Sequence, residues 1–253
     1  MSLLDLQERV ELREAVEALG FRPHMIAETG SKAWGTDVAT SDHDLTVIAD
    51  DIVYDIYQWP RCSNTFPIQF KGQKVDVRIF SIEYFLRKVL KSNLVAYEAI
   101  NSEWHYGPGA LRNILNETMH HFYDPREMFR SSRGNLGNIR AGEMKGRRQQ
   151  FRYTFICLQL LDELVNGNKP MMNVPAYLNS TERARDPCYF QIQELYKWAM
   201  SENTDDEMLN QSVEHVMTQV RQFDYPNVVH IKQGAERVFM NAQFAKIKEM
   251  LNG

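Results

Sequence analysis

A strand-like run that breaks at a glycine, followed by two aspartates at alternate positions, constrains this chain more than any other stretch. His24–Thr29 is extended in pattern and ends at Gly30-Ser31; after a short linker the chain reads Ser41-Asp42-His43-Asp44 and enters the apolar segment Leu45–Ala49. Glycine permits a sharp turn there. A helix begun at that point directs its first N–H groups outward, which suits a phosphate, and Ser31 adds a hydroxyl donor. On a strand Asp42 and Asp44 share a face, and His43 points to the other. Like charges held this close repel each other, and a divalent cation is the usual reason to keep them together.

A further acid belongs to the pattern. Lys74–Phe80 alternates, with Val75, Val77 and Ile79 on one face and Asp76 and Arg78 on the other. If this strand lies beside the one carrying Asp42 and Asp44, three carboxylates meet next to a phosphate cradle, the equipment of two-metal phosphoryl or nucleotidyl transfer. Around this core several residues have two readings. Arg78 either touches phosphate or neutralises the acids, and Lys32 faces either solvent or phosphate. Glu28 either supports the acids from behind or is a solvated strand residue. Trp34 is expected to pack beneath the loop, and Asp50-Asp51 to form a solvated turn.

Gly30-Ser31, a linker, Asp42-x-Asp44 and the later Asp76 resemble the DNA polymerase beta-type nucleotidyltransferase superfamily. Glu28–Thr36 with Ser41–Asp44, Val75–Val77, Ser81–Phe85 and Lys91–Glu98 is similar to one branch of it, the predicted nucleotidyltransferases of RNA-repair pathways found beside RNA ligases in bacteria and phages. The resemblance spans residues 25–106 and departs at Leu94, where relatives carry proline, and at Phe155, where they carry arginine. It implies transfer of NMP from an NTP to an acceptor hydroxyl, with an RNA end, such as that of a tRNA, as acceptor and an RNA ligase as partner. It implies two Mg²⁺ ions, or Mn²⁺ in their place, on Asp42, Asp44 and Asp76. Gly30 and Ser31 would hold the β and γ phosphates, with Lys32 and Arg78 close by. An AMP transferase acting on protein hydroxyls, as antitoxin-type relatives do, is the alternative. A non-catalytic nucleotide or nucleic-acid binder is the other, although a binder has little need for all three acids.

The expected architecture is α/β (α+β): a small mixed-sheet nucleotidyltransferase domain over 1–107, then a helical domain over 108–253, with the active site between them. Strand signals fade after Pro108. Helices are expected over Leu3–Leu19, Ile82–Leu90, Asn93–Ile100, Leu111–Phe122, Pro187–Ser201, Thr204–Arg221 and Lys232–Asn252, with Val10 and Val238 among the apolar stripe residues. Phe66–Phe70 and Lys74–Phe80 read as a hairpin about Lys71-Gly72-Gln73. Arg140, Lys145, Arg147, Arg148 and Arg152 precede the apolar run Phe155–Leu164. They either grip a triphosphate or RNA backbone or form a solvated basic face.

Bulk properties exclude other classes. A net charge of -4 argues against a protein that coats nucleic acid broadly, though not against a local basic groove. The three cysteines, Cys62, Cys157 and Cys188, lie far apart without metal spacing, so neither a disulfide framework nor a zinc site is expected. The N-terminal stretch is too charged for a signal peptide, and no apolar run reaches membrane-spanning length; a cytoplasmic location is expected.

Overall fold

The computed structural model describes residues 6–38, 41–51, 64–137, 139, 144–201, 207–223 and 234–252. The first half builds a mixed five-stranded sheet. Helix α1 (Leu6–Glu17) ends before Gly20, whose φ of +91° few other residues adopt. Strand β1 (Phe21–Thr29) then runs into the short helix α2 (Gly30–Trp34). Strands β2 (His43–Asp51), β3 (Asn64–Phe70) and β4 (Gln73–Phe80) follow, and the β3–β4 turn places both Lys71 and Gly72 at positive φ, the signature of a tight two-residue hairpin. Ser81 caps α3 (Ile82–Leu90) by accepting from the Tyr84 N–H, and Asn93 caps α4 (Leu94–Asn101) by accepting from Val95. Leu94 thus opens its helix without the proline of the family pattern. The short strand β5 (His105–Tyr106) completes a sheet of order β3-β4-β2-β1-β5, in which β2 and β4 run parallel and the other pairs antiparallel. The expected α/β class is what forms.

The sheet buries both faces, unequally. On one, Met25, Ala27, Ile48 and Phe80 pack under α3, α4, α5 (Gly109–Phe122) and a C-terminal helix that contributes Ile247. On the other, Ile26, Val47, Val77 and their neighbours meet Leu12 and Val16 of α1. Each fully buried large apolar side chain of this kind contributes about 1.5–3 kcal/mol. Val10, expected in the α1 stripe, is instead 43% exposed, because it lies a half-turn away from Leu12 and Val16.

Beyond Tyr123 the chain is helical: α6 (Pro125–Gly137), α7 (Met144–Asn166), α8 (Val174–Asn179), a 3₁₀ turn at Arg183–Arg185, α9 (Tyr189–Met200), α10 (Glu207–Gln222) and α11 (Gly234–Asn252). Pro125 sits at the first turn of α6 with Asp124 accepting from the Arg126 N–H, and Gly167 at φ +75° terminates α7. Two compact units result. One holds residues 1–33, 38–123 and 228–253; the other holds 34–37 and 124–227. This differs from a single break after residue 107. Helix α5 stays with the sheet because Leu111, Leu115 and Met119 complete its core, and α11 returns to the same core through Ile247. Val238 of α11, expected in its apolar stripe, is 69% exposed.

Candidate active site

Parallel pairing of β2 with β4 sets Asp44 directly opposite Asp76, with Leu45 opposite Val77 and Thr46 opposite Arg78. The alternation of β4 sends Val75 and Val77 into the core and leaves Asp76 half-buried on the opposite face, beside Asp44. Asp42 lies just before β2 and is likewise half-buried. The start of β2 is secured from β1: the Thr29 hydroxyl donates to the Asp44 carbonyl oxygen and lies 3.3 Å from the Thr46 hydroxyl.

The glycine turn lies against this pair. Gly30 has φ +73°, and a Cβ built on it would fall 2.0 Å from Asp44 Oδ2 and 2.7 Å from Asp44 Cβ. Only a residue without a side chain lets the turn and the acid approach so closely. The Gly30 N–H, expected to meet phosphate, donates instead to Glu98 Oε1 of α4. Glu98 is buried, and a carboxylate at that N–H is a strong, charge-assisted acceptor. Glu98 is a site residue that the motif pattern does not include. Its signal was a lone acid in an otherwise apolar helix, Leu94–Asn101.

A second unforeseen residue is Lys74. Its ammonium stands 3.1 Å from Asp76 Oδ1 and 3.3 Å from Asp76 Oδ2. The hydrogen bond to Asp76, and then the charges of Asp76, Asp42 and Asp44, hold Lys74 protonated above the ordinary lysine range. Lys74 is therefore a cation that answers Asp76. Arg78, considered for that part, is exposed and makes no hydrogen bond or ion pair among the described residues. The signal for Lys74 was its position two residues before Asp76, hence on the same strand face.

Among the described residues, no three His, Cys, Asp or Glu side chains are gathered closely enough to form a ready-made metal cage. Carboxylates brought together without a divalent ion repel, and an ammonium already sits on one of them. The donor set itself, hard carboxylate oxygens in a half-buried patch of net negative charge, has the chemistry that Mg²⁺ selects.

The opposite face of the same strands holds different chemistry. Glu28 is 4% exposed and neither supports the acids nor meets solvent; its Oε1 lies 3.3 Å from Nδ1 of His43 on the far side of the sheet. Lys32 lines a cavity on that face together with Glu28 and His43. At the other end of the strands Asp50 and Asp51 lie in β2 and not in a turn; the Asp50 side chain is partly exposed, and its Oδ2 lies 2.7 Å from Nε2 of buried His24.

In the helical unit, Trp34 packs edge-on against Phe155, 5.9 Å between ring centres, as expected of a residue beneath the loop. A Cβ on Gly35 would lie 2.6 Å from Pro175 Cδ, which makes that glycine a packing requirement. Of the basic cluster, Arg147 is buried with its guanidinium 5.7 Å from the Trp198 ring centre, so it is not part of a solvated face. Arg148 and Arg152 are half-buried, while Arg140 and the Lys145 side chain lie outside the described residues. Burial pushes the thiols of Cys157 and Cys188 up, Cys188 to about 11, so neither is a nucleophile at neutral pH. Cys62 lies outside the described residues.

No family model and no curated protein matches the chain. Among solved structures, a nucleotidyltransferase-like protein from Exiguobacterium sibiricum 255-15 aligns over 96% of this chain and 89% of its own, at 13% identity and a TM-score of 0.36. That likeness is too slight to bear on the activity. No described helix is long and apolar enough to cross a membrane.

Proposed function

We propose that this protein is a nucleotidyltransferase that moves NMP from an NTP to an acceptor hydroxyl. One observation carries the reading: Asp44 and Asp76 are direct neighbours across parallel strands, with the Gly30 turn pressed against Asp44. Carboxylates in direct register lie closest to each other on the sheet face, so a core-forming strand pair has reason to avoid them unless a cation is to be held.

Asp42, Asp44 and Asp76 would hold Mg²⁺, which supplies charge neutralisation for the triphosphate and a lower pKa for the acceptor hydroxyl. The residues do the rest. Gly30 keeps the turn close to Asp44, Glu98 fixes that turn through the Gly30 N–H, and the Ser31 hydroxyl and Arg78 guanidinium bind phosphate oxygens. The acceptor oxygen bonds to the α-phosphorus, the bond from that phosphorus to the β-phosphate oxygen breaks, and pyrophosphate leaves. Asp76 stands where the acceptor proton is drawn off. Lys74 exchanges its contact with Asp76 for one with phosphate as the site fills. RNA is the acceptor that the family resemblance implies.

Incubation with α-labelled and γ-labelled NTPs, Mg²⁺, and either total RNA or total protein tests this. Label from the α position should enter RNA, with pyrophosphate released. Entry into protein instead would redirect the acceptor, and no transfer with any NTP would overturn the reading.

A further inference from the structure

The back of the sheet holds features that the transfer reaction does not use. A cavity of about 310 Å³ lies there, entirely within the sheet unit, against the face opposite Asp44 and Asp76. That volume is at the lower end for small-molecule pockets, about 300–1,000 Å³, and suits a base with its sugar. Its polar pole is Glu28. This carboxylate is more than nine-tenths buried, one oxygen meets His43 at 3.3 Å, and the other has no hydrogen-bond partner among the described residues. The second oxygen is not closed off from the cavity that Glu28 lines, and a group that binds it there is a donor.

The remaining walls say what kind of donor. Trp104 and Phe70 contribute aromatic surface, and Leu45 and Val75 an apolar floor. Lys32 and the half-exposed Lys71 bring positive charge to the same cavity, Lys71 with Glu11 as a distant partner at 3.8 Å. A flat ring that offers donors to a carboxylate and carries an anion fits this set. Among the nucleobases, guanine presents two neighbouring donors, N1–H and the 2-amino group, which one carboxylate can accept together. Adenine turns an acceptor nitrogen toward the carboxylate beside its amino group, cytosine does the same, and uracil offers one N–H between two carbonyl oxygens. Bases seated against aromatic side chains and read on this edge are a common recognition mode.

We propose that this cavity is a guanine-nucleotide site, with Glu28 accepting from the base, His43 holding Glu28, and Lys32 and Lys71 facing the phosphate. It is independent of the transfer reading, since it uses none of the acids. Calorimetric titration of the full chain with GMP, IMP and AMP in EDTA tests it. GMP should bind tightest, IMP at least about tenfold more weakly for want of the 2-amino group, and AMP weakest. Glu28→Gln should shift the preference from GMP toward AMP, because an amide pairs with adenine's donor and acceptor. Lys71→Ala should weaken GMP and leave guanosine unchanged, and Asp76→Asn should leave GMP affinity unchanged. Equal affinity for GMP and AMP, no GMP binding at millimolar concentration, or loss of binding in Asp76→Asn but not in Glu28→Gln would overturn the proposal. Should Glu28→Gln fail to fold, the order GMP, IMP, AMP on the unaltered chain decides the matter.

Discussion

His43 and Asp44 are adjacent in sequence and belong to different chemistries. On Asp44's face the carboxylates are half-buried, lie next to one another and are balanced by an ammonium. On His43's face the Glu28 carboxylate is buried, with an imidazole as its polar partner among the described residues. Helices account for much of the difference. Four pack on the first face and leave the acids at its edge; α1 covers the second and leaves a cavity beyond Leu12 that opens beside Lys71 and Gln73. The lesson is that strand alternation separates functions more sharply than distance along the chain does.

The comparison breaks most visibly at the acids. Asp44→Asn and Asp76→Asn should each lower NMP transfer by on the order of 10²-fold or more, as loss of a transition-state charge partner does. Thermal melting should stay near the wild-type midpoint, since relief of repulsion offsets the exposed pair lost with Lys74. Full transfer by either variant would separate the acids from any reaction. Gly30→Ala comes next. Its Cβ would displace Asp44, and its φ of +73° adds about 1–2 kcal/mol of strain, so transfer should fall at least about tenfold and the midpoint should drop. A variant that melts and reacts like wild type would show that turn and acid can separate freely.

Glu98→Ala should be milder in turnover and clear in stability. The partly buried Gly30 N–H would lose its acceptor, which costs about 1 kcal/mol. Glu98→Gln, which keeps a carbonyl oxygen there, should recover most of the midpoint in a melting comparison. The smallest effect is expected at Lys74→Ala. Removal of the competing ammonium should lower the Mg²⁺ concentration for half-maximal transfer a few-fold, read from a metal titration at fixed NTP. The pH dependence has a defined sign. The Lys74 pKa is raised in the folded protein, so its attraction to Asp76 is complete below the ordinary lysine pKa and is lost as pH climbs through the raised one; between pH 6 and 9 it should not change.

Much of this arrangement was legible from residue order. Ser81 reads as a cap because it sits one residue ahead of an apolar helix, and Lys71-Gly72-Gln73 reads as a turn because two alternating runs flank it, whereas Asn93, expected as the first helical residue, is the cap of α4. Alternation set Asp76 on the face opposite Val75 and Val77, and the pairing of β4 with β2 brought that face beside Asp44. Less accessible were residues whose role depends on what lies across from them. Glu28 had two readings, both tied to Asp44's face or to solvent; its enclosure follows from α1 and Trp104 on the other side. Lys74 and Arg78 stand two residues either side of Asp76 on the same strand face, and of the two only Lys74 meets the acid. The unit boundary moved for the same reason: α5 and α11 are amphipathic helices like any others until the sheet supplies the core they complete.

Local order determined the strands, the caps, the turn that demands glycine, and the face on which each acid lies, because periodicity and backbone freedom are properties of neighbouring residues. Tertiary structure alone decided that β2 pairs with β4, that Glu98 reaches Gly30 across 68 positions of sequence, and that Glu28 is buried beside His43. Those contacts depend on the burial of distant apolar surfaces, and no short window of sequence carries that energy.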